Sequence, residues 1–286
     1  MNVKIIADSG TDLPLSFFQE ESIEYLPLVV HLNNEDYFDH ETIKPIDVYD
    51  AMRAGAIPKT SQISPVRFKD AFTKYAEQGQ SCIYVAFSSE LSGTYQTAVM
   101  MKNEVQEEYP DFKLEIIDSK AASLGHGLIV KEAARLAKDG RSLDEIKERV
   151  LFYRDHMEHL FTVDDLEYLY RGGRVSKTSA FVGTLLKIKP LLHVEEGKLI
   201  PLEKLRGSKK VLGRMVELMD ERGEGLDKQL VAISHADSLE RAEELKSMIQ
   251  DKFGTTEFLI EDIGAVIGSH AGPGTIALFF LNKLPQ

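Results

Sequence analysis

Residues 82–93 read CIYVAF-SSELSG, and this stretch decides the fold. A short apolar run that ends in small polar residues is typical of a buried strand in a parallel sheet. The residues from about Thr94 to Glu108 then predict a helix. A strand, a polar loop and a helix in this order indicate an α/β protein.

The same unit recurs on both sides of this stretch. Val3 to Ala7 predicts a strand, the polar turn at residues 8–12 follows it, and Pro14 suits the first turn of a helix. Leu114 to Ile117 predicts a third strand, followed by Asp118-Ser119 and a helix that ends near Lys138. Alternating strands and helices predict a parallel sheet covered on both faces, with ligands beyond the carboxyl ends of its strands.

The second half has a different pattern. Leu191 to Val194 and Leu199 to Leu202 predict an antiparallel hairpin. Further elements are predicted as strands at 229–234 and 256–263, a helix at 239–253, and a final helix from Thr275 to Leu284. We therefore expect an N-terminal α/β/α domain with a parallel sheet at 1–156 and a C-terminal mixed α/β domain at 157–286.

Composition narrows the class of protein. The chain has 286 residues, one cysteine and a formal net charge of −12. Cys82 lies in the apolar run and is predicted to be a small core residue, and a chain without disulfides suits the cytosol. No segment is apolar for long enough to span a bilayer. We expect a cytoplasmic protein that makes at most transient contact with a membrane and, being acidic, does not bind nucleic acid.

Charge is unevenly distributed along the chain. Residues 171–214 contain eleven Lys or Arg but only three Glu. Such a segment is either a solvated helix face or a docking surface for a phosphate or an acidic partner.

Common catalytic and cofactor motifs are absent from the sequence. It contains no glycine-rich phosphate loop, no Gly-x-Ser-x-Gly elbow and no His-Glu-x-x-His zinc motif. His156 and His159 lack further ligands nearby and are predicted to be surface histidines. We expect neither a metal nor a cofactor.

Three polar loops are candidate binding elements. Residues 59–65 read KTSQISP, in which Ser64 suits a helix cap but Thr60 and Ser61 are not needed for capping. Ser92 and Gly93 precede a predicted helix, where an N-cap and an anion contact are both reasonable. The third loop, residues 264–274, has four glycines around His270 and is suited to anions.

Together these loops describe a site for a carboxylate or a phosphate. Ser92 and His270 also allow a second interpretation, an acyl ester hydrolase with a Ser–His pair. No acidic residue that would orient the imidazole is evident in the sequence.

At these residues the chain resembles a known family. The matching motifs occur in order: Asp8-Ser9 with Asp12-Leu13, Lys59 to Gln62 with Ser64-Pro65, Ser88-Ser89 with Leu91 to Tyr95, Asp118-Ser119, Leu169 with Arg171 to Arg174, Lys189-Pro190, Lys204 with Arg206-Gly207, and Gly268 with His270 and Gly272 to Gly274. They resemble the DegV family, fatty-acid-binding proteins that serve a bacterial fatty acid kinase.

The resemblance implies a two-domain α/β carrier, not an enzyme, with one long-chain fatty acid between its domains. It implies that Thr60, Ser92 and His270 surround the carboxylate, with Ser61 and Gly93 adjacent. A separate fatty acid kinase would then phosphorylate the bound acid to an acyl phosphate, a phospholipid precursor.

The basic segment and the acyl chain each acquire a role in this interpretation. Arg171, Arg174 and Arg206 become candidates for kinase docking, since the planar arginine fork suits phosphate, although structural ion pairs are an equal alternative. Burying about fourteen methylenes contributes on the order of 11 kcal/mol before ordering costs. The tail therefore supplies most of the affinity, and hydrogen bonds to the carboxylate fix its orientation.

Overall fold

A computed structural model describes residues 3–176 and 188–285. Its strands are β1 Lys4–Asp8, β2 Glu24–Leu26, β3 Val29–Leu32, β4 Glu35–Phe38, β5 Lys59–Ser61, β6 Cys82–Ala86, β7 Leu114–Asp118, β8 Met157–Thr162, β9 Ile188–Glu195, β10 Lys198–Arg206, β11 Val231–His235, β12 Phe258–Asp262 and β13 Ile276–Leu281. Its helices are α1 Leu15–Glu20, α2 Pro45–Arg53, α3 Pro65–Glu77, α4 Thr94–Glu108, α5 Ser123–Lys138, α6 Leu143–His156, α7 Leu166–Arg171, α8 Ser208–Arg222, α9 Leu239–Phe253 and α10 Ala265–Ala271.

The predicted N-terminal sheet is present. Four parallel strands lie in the order β2-β1-β6-β7. All five residues of β6 are buried, including the only cysteine, Cys82, so the strand is covered on both faces. The α/β fold class predicted from residues 82–93 is confirmed.

A small antiparallel sheet beside it was not predicted. Its strands lie in the order β4-β3-β5, and its third strand is formed by residues 59–61, which the sequence analysis treated as a loop. Its strands are three or four residues long, too short to show a clear period of two. This sheet holds Thr60 and Ser61 on an extended backbone.

The C-terminal half forms a six-stranded mixed sheet in the order β10-β9-β8-β13-β11-β12. Its β9–β10 hairpin was predicted. The helix predicted from Thr275 to Leu284 was wrong, because residues 276–281 form a central strand with every residue buried. A short run that is apolar throughout has no polar face to distinguish a strand from a buried helix.

The glycine-rich loop predicted at 264–274 was also wrong, since its centre is helix α10. Gly264 is extended at the N-cap, and side chains from distant parts of the chain bind the first N–H groups of the helix. Tertiary contacts of this kind satisfy the groups that the end of a short helix leaves unpaired. They are not visible in local sequence.

Helix α5 lies where the two halves meet. Ile129 and Ala133 of this helix share one apolar cluster with Ile5 and Ile83 of the four-stranded sheet and Phe279 of the six-stranded sheet. The two N-terminal sheets use residues before 119 and the six-stranded sheet uses residues from 157 onward. The domain division at 156/157 stays a prediction.

No helix among residues 3–176 and 188–285 is both long and apolar enough to cross a bilayer.

Candidate functional site

A cavity of about 290 Å³ is bounded by residues from both halves of the chain. Most of its wall is apolar, with Phe161, Val194, Leu199 and Phe279 among the lining side chains. The residues that the sequence analysis selected also line it: Thr60, Ser61, Ser92, Gly93 and His270. Strand β5, the loop before α4 and the last turn of α10 are far apart in sequence and meet at this one cavity.

The central contact of the polar residues joins strand β5 to helix α10. Thr60 Oγ1 lies 2.6 Å from His270 Nε2, and both side chains are part-buried. Thr60 is held by pairing of β5 with β3, opposite Val30. His270 lies in the last turn of α10, whose end is fixed by Gly272 at a positive φ of 78°. A β-strand and a helix end thus fix the two partners independently.

Burial sets the charge of this imidazole. Desolvation lowers the pKa of His270 to about 4, and the positive charge of Arg174 acts in the same direction. The ring is therefore neutral near pH 7. A neutral imidazole carries one N–H, so its bond to Thr60 either accepts or donates according to the tautomer.

Arg174, which the sequence predicted to dock the kinase, has a half-buried side chain. Its guanidinium donates to the backbone carbonyl of Leu91 from Nε at 3.2 Å and from Nη2 at 3.0 Å, and also to the carbonyl of Gly172. Burial lowers its pKa from the ordinary arginine value. Arg174 therefore joins the end of α7 to the loop that contains Ser92, and it places a positive charge at the cavity wall.

Gly172 permits the approach of α7 to His270. A Cβ added at Gly172 would lie 2.2 Å from His270 Nδ1, closer than real Cβ contacts. No side chain fits between this turn and the imidazole, so the glycine is needed for packing against the ring.

Ser92 and Gly93 lie at the start of α4. Ser92 Oγ is 2.8 Å from Thr94 Oγ1 and accepts the N–H of Thr94 at 3.3 Å, while Gly93 is the N-cap. Within the described part of the chain, Ser92 is not hydrogen-bonded to His270 and no carboxylate is bonded to that imidazole. The Ser–His pair considered for a hydrolase is therefore not formed.

Ser61 has a different environment from its neighbour Thr60. Its Oγ lies 2.9 Å from His31 Nε2, and His31 Nδ1 lies 2.6 Å from Asp36 Oδ1. Successive side chains of a strand point to opposite faces, which separates the hydroxyl of Ser61 from that of Thr60. The Ser61 hydroxyl is thus already bonded at an exposed edge of the cavity.

Two buried carboxyl groups hold α10 in place. Asp12 Oδ1 accepts the N–H of Gly264 and Asp39 Oδ1 accepts the N–H of Ala265, each at 2.9 Å. Burial raises the pKa of Asp12 well above its ordinary value and also raises that of Asp39. Asp12 belongs to one of the sequence motifs, whereas no local pattern in the sequence pointed to Asp39.

The other predicted arginines lie nearer the surface. Arg171 is exposed, 3.7 Å from Glu167, and lines a second cavity of about 290 Å³ that shares Thr60, Arg174 and His270 with the first. Arg206 is exposed at the end of β10 and lines neither cavity. Lys177 and Lys187 of the basic segment lie outside the described residues. The docking role of all three arginines stays a prediction.

His159 was predicted to be a surface histidine, and this was wrong. It is 4% exposed on β8 and lines the cavity, whereas His156 ends α6 and bonds Asn282. The chain changes from helix to strand between these histidines, so they share no helix face. In the residues that the structure describes, no three His, Cys, Asp or Glu side chains form a metal-binding group.

Comparison with known proteins agrees with this architecture. A DegV domain-containing protein of Clostridium perfringens is 43% identical over 285 residues, which cover 99% of this chain and 98% of that protein. A fatty-acid-binding DegV family protein from Thermus thermophilus superposes with a TM-score of 0.90 at 31% identity, covering 98% and 99% of the two chains. A stearic-acid-binding protein from Eubacterium ventriosum gives 0.87 at 26%, covering 97% of each.

The model of the DegV family matches residues 2–283. The match spans both sheets of the N-terminal half, the six-stranded sheet and every polar loop around the cavity. It confirms the resemblance inferred from the motifs, and the chain belongs to the DegV family.

Proposed function

We propose that this protein binds one long-chain fatty acid in the cavity and presents its carboxyl group to a separate fatty acid kinase, without catalysing a reaction itself. The observation that carries the proposal is the arrangement of the wall. Hydroxyl and imidazole groups from β5, α10 and the loop before α4 meet at the cavity, and most of the remaining lining is aliphatic or aromatic. A fatty acid likewise has a polar carboxyl group at one end and an apolar chain along the rest of its length.

The polar residues suit a carboxylate that must later react. Thr60 and Ser92 offer hydroxyl donors, and the Nε2–H tautomer of His270 frees the Thr60 hydroxyl to donate to the ligand. Arg174 contributes positive charge while its guanidinium stays bonded to carbonyl groups. No cation is tied directly to the carboxylate in this arrangement, so its oxygen remains available as a nucleophile.

The apolar wall supports a long acyl chain as the ligand. Thr275, directly before β13, and Ala277 and Phe279 on β13 line the cavity at alternate positions. These positions span about 13 Å at the usual strand rise. The binding of fatty acid described for the Thermus thermophilus relative and of stearic acid for the Eubacterium ventriosum relative supports the same ligand class here.

The kinase role rests on the second cavity. Thr60 and His270 belong to both cavities, so a carboxyl group bonded to them would face the exposed side occupied by Arg171 and Lys59. A phosphate donor carried by a partner would approach from that side. The sequence has no phosphate-binding loop of its own, which is consistent with a separate kinase.

Native mass spectrometry of the protein purified from a bacterial host tests lipid binding, followed by denaturing extraction of the ligand. We expect one fatty acid per chain. A protein that is empty and also fails to take up added stearic acid would disprove the binding proposal. Incubation of the loaded protein with a fatty acid kinase and ATP then tests presentation, with acyl phosphate as the expected product.

A further inference from the structure

The cavity has a row of side chains far from Thr60 and His270. Leu199 pairs with Val194 across the hairpin, and His159 pairs with Phe279 on the other side. Strands β8 and β9 pair antiparallel, with Thr162 opposite Leu191 and Leu160 opposite His193. The next position in this register places His159 beside Val194. All four side chains line the cavity, and three of them are apolar.

The fourth member, His159, has an unpaired hydrogen-bond acceptor. Its Nδ1 is 3.1 Å from the carbonyl of Met157, which can only accept, so Nδ1 carries the proton. Its Nε2 is buried and has no hydrogen-bond partner among the described residues. Burial lowers the pKa of this ring to about 4, and the ring stays neutral with a lone pair on Nε2.

The surroundings of this nitrogen offer it no donor. Phe279 packs edge-on at 5.4 Å between ring centroids, and a Cβ at Gly125 would lie 2.2 Å from Nε2. Gly125 thus leaves the room that the imidazole edge occupies beside the cavity. Buried polar atoms normally find a partner, and an exception at a ligand cavity points to a partner supplied by the ligand.

We propose that His159 adapts the cavity to fatty acids that carry a hydroxyl group in the middle of the acyl chain, with that hydroxyl donating to Nε2. This inference rests on the proposed function and narrows its ligand class. A hydroxyl group fits because it donates, whereas a ketone at the same carbon only accepts. An unsubstituted acid fills the cavity and leaves the nitrogen unpaired.

The register of the sheet sets the position of the hydroxyl. From Thr275, near the polar residues, to Phe279, beside His159, the wall runs four residues or about 13 Å. An extended chain advances about 1.25 Å per carbon, so the hydroxyl belongs near the tenth carbon. A hydroxyl next to the carboxyl group would lie at the other end of the cavity.

Dissociation constants for four acids test the proposal: stearic acid, its hydroxy and keto derivatives at about the tenth carbon, and the isomer hydroxylated next to the carboxyl group. Wild-type protein should bind the mid-chain hydroxy acid about tenfold more tightly than the keto acid, as a hydrogen bond of ordinary strength predicts. The His159→Phe variant should bind the mid-chain hydroxy and keto acids with equal affinity, whatever its affinity for stearic acid. His193→Phe, on the adjacent strand and outside the cavity, is the matched control and should keep the wild-type preference.

The outcomes separate the two proposals. If wild-type protein binds stearic acid but binds the hydroxy and keto acids equally, the role of His159 is overturned and the proposed function stands. The role of His159 is also overturned if the isomer hydroxylated next to the carboxyl group binds as tightly as the mid-chain hydroxy acid. If none of the four acids binds, the proposed function itself fails. Because wild-type protein gives the decisive ratio, the test does not depend on the folding of the variant.

Discussion

Asp12 accepts the backbone N–H of Gly264 at 2.9 Å, a contact between residues 252 positions apart in sequence. Gly264 precedes α10, the helix that carries His270 to Thr60. The same carboxyl group accepts the hydroxyl of Ser123 at the start of α5. Asp12 therefore links the carboxyl end of the parallel sheet to the polar end of the cavity, and it acts on His270 by positioning α10.

Replacing Asp12 tests this link. Asp12→Asn keeps a carbonyl oxygen that can accept the N–H of Gly264, so it should cost less than about 1 kcal/mol, roughly the scale of a conservative change. Asp12→Ala leaves the N–H of Gly264 unpaired and should destabilise by about 2–3 kcal/mol. Urea denaturation measures both values. Equal losses in the two variants would contradict the hydrogen-bonding role.

The neighbours Thr60 and Ser61 should differ in their effect on lipid binding. Thr60→Val removes the partner of His270 and should weaken fatty-acid binding by about tenfold. Ser61→Ala should change the affinity by less than about twofold, because its hydroxyl is bonded to His31 on the other face of the strand. Calorimetric titration with stearic acid measures both. A larger loss for Ser61→Ala would reverse this assignment.

The two buried histidines predict a pH dependence of stability. Burial lowers the pKa of both His159 and His270 to about 4, so between about pH 4 and 6.5 the unfolded chain binds more protons than the folded chain. Their contribution is complete above pH 6.5 and is lost as the pH falls. At pH 5 each imidazole should cost the folded state about 2 kcal/mol relative to pH 7.5.

Denaturant titrations of wild-type protein, His159→Phe and His270→Gln at both pH values measure this loss. The raised pKa values of Asp12 and Asp39 act in the opposite direction, so the difference between wild-type protein and each variant isolates the histidine. A difference that stays constant with pH would contradict the prediction.

Gly172 predicts a steric effect on the same site. Gly172→Ala brings a methyl group to 2.2 Å from His270 Nδ1, so the imidazole or the turn must shift, which disturbs the alignment of the ring with Thr60. We expect about tenfold weaker fatty-acid binding. Gly213→Ala, in the middle of α8, is the control, since the nearest atom to its new methyl group is Cε of Met248, 3.9 Å away. It should leave binding unchanged and raise stability by up to about 1 kcal/mol.

If Arg171 docks the kinase, replacing it should impair use of the lipid by the kinase and leave lipid binding intact. The side chain is exposed beside the second cavity, so Arg171→Ala should lower the rate of acyl phosphate formation by several-fold without changing the affinity for stearic acid. Lys246→Ala, on the exposed face of α9, is the charge-matched control and should keep the wild-type rate. Equal rates for the two variants would remove Arg171 from the docking surface.

Arg174→Ala predicts a different outcome. Its guanidinium bonds to the carbonyl groups of Leu91 and Gly172, so its loss should lower both stability and lipid binding. A variant that retains both and loses only kinase use would favour the docking role inferred from sequence.

The sequence predicted those helices and strands whose own residues mark where they begin and end. The strand Cys82–Ala86 and the helix Thr94–Glu108 were predicted because an apolar run and a glycine mark their limits. The helix at Leu239–Phe253 has one apolar face and was predicted to the residue. Polar residues between the predicted elements were also visible, which is how Thr60, Ser92 and His270 were selected.

Features that depend on distant contacts were not predictable in this way. Residues 276–281 are buried on both faces by other parts of the chain, and the sequence alone does not distinguish that strand from a buried helix. The charge of His159 depends on its surroundings in the fold, which the local sequence does not show. Its position in the cavity wall follows from pairing with Phe279, more than one hundred residues away. The partner of Ser61 likewise comes from a neighbouring strand, at His31.

Helix α5 is covered on both sides, because its apolar residues pack against strands of the first half and strands of the second. A fragment that ends near residue 156 would expose the side of this helix that the six-stranded sheet now covers. The two halves should therefore unfold in a single cooperative transition, and neither should accumulate as an independent folded protein.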